Sequence, residues 1–212
     1  MDPLSIAIFV IILLFSVIFH EVAHGLMALR LGDPTAKYAG RLTLNPIPHL
    51  DLFGSILLPA FLAYFGLPIL GAAKPVPINY SNLSNIRRDM FLVSIVGPLT
   101  NFALAFVAGI VLRITPGLSV NGADLLMQVI YLNCVLGIFN LIPIPPLDGS
   151  KILASALGYI NHNLMYRILE LERFSFILLL LVIMIPGFLS RILLPPVMFL
   201  FALFTGDSTT TF

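Results

Sequence analysis

Long uncharged stretches separated by short charged ones dominate the chain. Apolar runs cover 3–19 (resuming past a polar interruption to about 30), 52–73, 90–112, 125–147, 174–190 and 192–206. A hydrocarbon core of ~30 Å takes about 20 helical residues, so the first four runs are long enough to cross it. The last two are shorter. Pro186-Gly187 and Arg191 separate them, and they read as a closing helical hairpin. The first of the pair gains length from 168–173, with Glu170, Glu172 and Arg173 at the interface. Near 36–49 the pattern changes: Leu42, Thr43 and Leu44 alternate and Pro46 ends the stretch, which predicts a short β-hairpin or edge strand. The expected fold is an all-α polytopic membrane protein, with about five spanning helices plus a re-entrant segment, or six spans. Residues 1–158 form its expected transmembrane core, and 159–212 a C-terminal helical hairpin of the same membrane domain.

Basic residues set the orientation, because cytoplasmic loops carry the excess Lys and Arg. Arg30, Lys37 and Arg41 follow the first run, and Lys74, Arg87 and Arg88 precede the third. Arg113 stands alone after the third run, while Lys151, Arg167 and Arg173 follow the fourth. With the three richer clusters inside, the first helix runs outside to inside, 90–112 goes back out and 125–147 returns. That leaves 52–73 beginning and ending on one side. Pro59, Gly66 and Pro68 interrupt it, which suits a re-entrant hairpin better than a straight span. A straight span would put the clusters at 30–41 and 74–88 on opposite sides.

Composition agrees with a membrane protein. Of 212 residues, 59% are hydrophobic and 10% charged, against about 25% charged in a soluble domain. The net charge is +1, and no basic cluster is large enough to track phosphates, so nucleic acid is not an expected partner. The N-terminal apolar run lacks a basic leader and reads as a retained helix, not a cleavable signal. A single cysteine, Cys134, excludes an internal disulfide and reads as a small buried hydrophobe.

The polar interruption in the first run is His20-Glu21-Val22-Ala23-His24. An ionisable side chain at the bilayer centre costs at least roughly 2.5–3.5 kcal/mol, so three in one turn call for a reason. Residues four apart lie about 40° apart around a helix and point the same way. His20 and His24 can thus bind one zinc ion, with Glu21 beside them as general base. A structural pair of histidines in a helix bundle is the competing reading, but it gives no role to the glutamate between them.

A second constellation is Asn140-Leu141-Ile142-Pro143-Ile144-Pro145-Pro146-Leu147-Asp148-Gly149. Three prolines in four positions cannot continue a regular helix. Unwound backbone at membrane depth is tolerated where protein or a water-filled cavity covers it. Asp148 supplies the carboxylate that would complete a His₂-carboxylate zinc site with one open position. The alternative is a Pro-rich interfacial loop with an Asp helix cap. The depths match: His20 lies ten residues, or ~15 Å, before Arg30, and Asp148 lies shortly before Lys151.

HEVAHG in one run, Gly97-Pro98-Leu99-Thr100-Asn101 in another and NLIPIPPLDG in a third, over roughly residues 15–158 and in this order, resemble the site-2 protease family of intramembrane zinc metalloproteases. The resemblance implies one zinc ion held by His20, His24 and Asp148, Glu21 as general base, and Asn140 positioning the substrate peptide or stabilising the oxyanion. Gly40–Asp51 and Ala73–Pro77 resemble a subgroup of small bacterial and archaeal members without PDZ or CBS domains. The implied location is a prokaryotic cytoplasmic membrane with the active site in its cytoplasmic half. The implied substrates are single-span transmembrane proteins, which enter laterally from the lipid bilayer and are cut in extended form.

Arg41, Leu42, Thr43 and Leu44 are candidate substrate-binding residues that pair with an extended peptide by β-augmentation, or else a hairpin closed on itself. Asn101 is a candidate for substrate binding and for hydrogen bonding across the bundle, with simple helix packing by GPLTN as the alternative. His49 reads as backbone-bonded or solvated, with a supporting role near the metal as the alternative. His162 reads as a polar loop residue, and Asp33 and Asp124 as interfacial or capping groups. Two other function classes fit less well. A transporter or metal carrier would be supported by inverted repeats, which the halves do not show. An inactive membrane chaperone would not need Glu21.

Overall fold

A computed structural model describes residues 3–50 and 74–206. The elements are helices α1 (Pro3–Arg30), α2 (Thr35–Tyr38), α3 (Ile86–Ile114), α4 (Val120–Asn140), α5 (Asp148–Ile160), α6 (His162–Glu170), α7 (Ser175–Ile183) and α8 (Leu194–Thr205). Among the described residues there is no strand. α1, α3 and α4 are long and apolar enough to cross a membrane. Asn85 starts α3 by accepting from Arg88 N, and Ser119 starts α4 by accepting from Gly122 N.

Polar contacts fix the helix directions. His24 meets Val93 while His20, one turn earlier, meets Asn101, so α1 and α3 are antiparallel. Asn133 in α4 meets Ser16, and Asp148 beyond the end of α4 meets His20 and His24, so α4 runs parallel to α1. The end of α1 with Arg30, the start of α3 with Arg87 and Arg88, and the end of α4 therefore share one face of the bundle. Arg113 lies at the other. The segment 52–73, expected to re-enter or to span, lies outside the described residues. Its flanks are adjacent all the same: Lys74 N donates to His49 O at 2.9 Å.

The hairpin or edge strand expected near 36–49 is not formed. Residues 35–38 are a helical turn, and Ile47–His49 is a 3₁₀ turn. Side chains occupy the backbone groups a ladder would need. His49 Nε2 donates to Thr43 O, Asn45 Oδ1 accepts from Ile47 N, and Arg41 donates to Pro48 O. Pro46 and Pro48 have no N–H to contribute. Three alternating residues were too short a pattern to outweigh these local bonds.

α8 packs into α3 and α4 through Ala105, Ala108, Ile130, Cys134, Leu193 and Val197, and Cys134 is wholly buried there. Met90, Ala154 and Met165 join α3, α5 and α6. The region of the expected closing hairpin holds two short helices. α7 and α8 have 9 and 12 residues, fewer than the ~20 that a straight span needs. A turn at Gly187 (φ +79°) and a π-helical turn over Leu189–Leu193 join them.

Candidate metal centre

One stripe of α1 places Ser16, His20, His24 and Ala28, each four residues on, against the other helices, and all four are buried. Asp148 is brought opposite by the break between α4 and α5. The chain leaves α4 at Asn140, and the prolines deny it regular helical bonding until α5 begins at Asp148. Asp148 stands in the first turn of α5, where the helix dipole favours a carboxylate. Gly149 allows the close return, since a Cβ there would strike the carbonyl oxygens of Leu141 and Ile142.

His20 Nε2, His24 Nε2 and Asp148 Oδ2 converge. The pairs are 3.0 Å (His–His), 3.1 Å (His20–Asp148) and 3.2 Å (His24–Asp148). The three residues are only 6%, 6% and 9% exposed. Three electron-pair donors this close in a dry site repel one another unless a cation sits among them. Tetrahedral zinc with ligand bonds of ~2.0–2.1 Å would hold its ligand atoms about 3.3 Å apart, close to the spacing found. Among the described residues this is the sole group of three or more His, Cys or acidic side chains with such geometry.

The other ring nitrogens confirm the fit. His20 Nδ1 donates to Asn101 Oδ1 at 2.7 Å, and His24 Nδ1 donates to Val93 O at 2.6 Å. Carbonyl oxygens only accept, so each Nδ1 carries the proton and each Nε2 is left with a lone pair for metal. Asn101 Nδ2 donates in turn to Asn133 Oδ1 (2.9 Å) and to Ser16 O (3.4 Å). Asn133 Nδ2 donates to Ser16 Oγ and Val129 O, both at 2.9 Å. Gly97 completes the floor: a Cβ there would meet Cε1 of His20 at 2.7 Å and of His24 at 2.5 Å.

The remaining candidates stand as follows. Glu21 projects from α1 beside the cluster, half-buried, and its Oε2 accepts from Val76 N at 2.7 Å. Asn140 is the last residue of α4, and its Nδ2 donates to Leu136 O at 3.0 Å. Asn101 is fully buried beneath His20, with no surface to offer a substrate. Arg41 is buried as well, its terminal nitrogens on the carbonyls of Pro48, Lys74 and Pro75. Leu42 and Thr43 are half-buried and Leu44 is exposed. His49 is wholly buried and backbone-bonded, and His162 is exposed against Tyr166. Ser16, Val93, Asn133 and Val76 were not singled out from sequence. Ser16 and Asn133 carried a usable signal, because a polar side chain inside an apolar span must find a partner.

Comparison with known proteins agrees with this geometry. The family model described as peptidase family M50 matches residues 118–184, which include Asp148. YwhC of Bacillus subtilis, a candidate zinc metalloprotease by name, is 37% identical over 193 residues, covering 87% of this chain and 84% of its own length. Rip2 of Mycobacterium tuberculosis, likewise named as a candidate zinc metalloprotease, is 35% identical over 155 residues, 70% of this chain and 58% of its own. Zinc metalloprotease MJ0392 of Methanocaldococcus jannaschii is 31% identical over 153 residues, 72% of this chain and 35% of its own. No solved structure matches significantly. With a relative this similar over most of both chains, the protein belongs to peptidase family M50, the site-2 protease family.

Proposed function

We propose that the protein is an intramembrane zinc metalloprotease that hydrolyses peptide bonds within or near the transmembrane segments of single-span membrane proteins. The convergence of His20 Nε2, His24 Nε2 and Asp148 Oδ2 among apolar helices, with each imidazole held by its far nitrogen, carries this reading. Zinc held by these three residues would supply a Lewis acid that polarises the scissile carbonyl and lowers the pKa of a water towards ~7. Glu21 takes the proton of the attacking water and returns it to the leaving nitrogen. Asn140 uses one amide hydrogen on Leu136 O, and its second hydrogen and its oxygen orient the substrate backbone or the developing oxyanion.

The distribution of Lys and Arg supports a cytoplasmic basic face, and with it a site in the cytoplasmic half of a prokaryotic membrane. The adjacency of His49 and Lys74 supports a re-entrant 52–73 over a single crossing, since a single crossing would separate its ends by a bilayer. Spans at α1, α3 and α4, with α7 and α8 closing the bundle, form one membrane domain. A substrate helix shields its own peptide bonds, so it enters laterally from the bilayer and unwinds before cleavage. Leu44, exposed beside the site's loop, is available to an extended peptide.

Glu21→Gln tests the assignment. The purified variant should keep its zinc, measured by elemental analysis, and lose cleavage of a single-span substrate reconstituted in lipid. Normal turnover with zinc bound would overturn the mechanism.

A further inference from the structure

Residues 74–82 form a strap along the last turns of α1, tied down at three places. At its start, Arg41 Nη2 donates to Lys74 O at 2.5 Å and to Pro75 O at 3.3 Å, while Nη1 holds Pro48 O. At its end, Asp33 accepts from Asn79 N and from Asn82 Nδ2, both at 2.7 Å. Between these anchors Val76 N donates to Glu21 Oε2 at 2.7 Å.

The sequence is suited to that middle contact. In Lys74-Pro75-Val76-Pro77 each proline biases the residue before it towards extended backbone and contributes no N–H of its own. Val76 therefore carries the sole N–H donor of 75–77, and the strap aims it at the carboxylate of HEVAH. Gly25, the residue after that motif, lets the strap lie flush: a Cβ there would come within 2.9 Å of Val76 Cγ1 and 2.6 Å of Leu42 Cδ2. A glutamate on a helix has three rotatable bonds, and a charge-assisted bond from a fixed amide holds it in one arrangement.

We propose that the strap positions the general base: Val76 N–H holds one oxygen of Glu21 so that the other faces the reacting water, and Arg41 acts through the strap, not on substrate. This rests on Glu21 being the base. A misplacement of ~1 Å can lower a catalysed rate about 100-fold, so loss of the tether acts on kcat. Arg41 is thereby a positioning residue.

The test uses the zinc-loaded full chain in lipid nanodiscs with a single-span substrate. Val76→Pro removes the N–H, whereas Val76→Ala keeps it and trims the packing on Gly25. Val76→Pro should lower kcat about 10–100-fold with KM within about twofold, and Val76→Ala should lower it at least several-fold less. Arg41→Ala should reduce kcat in the same way with zinc retained, and Arg41→Lys should recover part of it. Equal kcat for the two Val76 variants overturns the proposal. Where Val76→Pro does not fold, the amide resonance of ¹⁵N-labelled Val76 decides. Glu21→Gln should shift it, and an unmoved resonance overturns the tether while leaving the base reading intact. Normal turnover by Glu21→Gln refutes the base reading itself, and the tether's role with it.

Discussion

Asn101 lies at the centre of the polar network beneath His20, and replacing it tests whether that network sets zinc affinity. Asn101→Leu, of similar volume, removes the acceptor of His20 Nδ1 and the donor to Asn133 Oδ1, bonds of 2.7 and 2.9 Å. Both groups would be left buried and unpaired, since His20 is 6% and Asn133 1% exposed. At about 1–3 kcal/mol for each orphaned group, stability should fall by roughly 2–6 kcal/mol before any repacking. Loss of such a support around a metal-binding histidine typically weakens metal affinity 10–100-fold, which is about 1.4–2.7 kcal/mol.

Asn101→Asp separates the two effects. A carboxylate still accepts from His20 Nδ1, so zinc affinity should stay near that of the unmodified protein. It cannot donate to Asn133 or Ser16, so stability should still fall, by roughly 1–3 kcal/mol for the orphaned Asn133 oxygen. Zinc Kd is measured by competition with a chromophoric chelator in detergent micelles, and stability by denaturant unfolding of the metal-free proteins. An unchanged zinc Kd in Asn101→Leu would refute the argument. So would a loss in Asn101→Asp as large as in the Leu variant, because the acceptor alone is held to matter.

Three further outcomes are expected. Asp148→Ala should lower the zinc bound per chain in elemental analysis, while Asp124→Ala, at an exposed position of α4, should not; equal zinc in both variants and the unmodified protein would remove Asp148 from the ligand set. With Cys134 replaced by Ser, an impermeant thiol reagent applied from outside should label Gly117→Cys and not Lys37→Cys or Lys74→Cys; labelling of Lys74→Cys alongside Gly117→Cys would make 52–73 a full span. Asp33 lies in the loop after α1, where burial works to raise its pKa but hydrogen bonds from Thr35, Asn82 and Asn79 prevail and hold it below the usual carboxylate range. Its folded pKa is lowered, so its contribution is complete above the unfolded value of ~3.9 and is lost as pH falls below that towards the folded value. The gap in thermal midpoint between the unmodified protein and Asp33→Asn should therefore be constant near neutrality and shrink in acid, and a gap that widens in acid would contradict this.

The grouping of His20, His24 and Asp148 was legible because its signal is geometric and local. An i, i+4 histidine pair shares a helix face wherever the helix sits, and a carboxylate after a proline-broken helix offers the missing oxygen. The three long spans were legible from length and hydropathy alone. Asn101 was recognised as able to bond across the bundle, yet its partner could not be read, since His20 lies 81 residues away. Val76 carries no side-chain signal: its contact with Glu21 is made by a backbone N–H, singled out only by the prolines on either side. The strand expected near 36–49 does not form because Arg41, expected to meet substrate, and His49, expected to be backbone-bonded or solvated, turn inward and take the carbonyls of Thr43, Pro48 and Lys74.

Four helices supply the centre: α1 gives the histidines, α3 their supports at Val93 and Asn101, α4 Asn133, and α5 the carboxylate. In lipid, helices gain little from burying apolar surface against one another, because the tails they displace are as apolar as their side chains. Association then leans on small residues that permit close approach and on polar groups that need partners. Gly97 and the chain from His20 through Asn101 and Asn133 to Ser16 provide both at one level of the bundle. That chain is satisfied within the protein, apart from the Nε2 lone pairs of His20 and His24 and the Asp148 oxygen that faces them. The polar framework that draws α1, α3 and α4 together thus fixes both rings before any metal arrives. What it leaves unpaired is a set of three donors that could hold a metal ion.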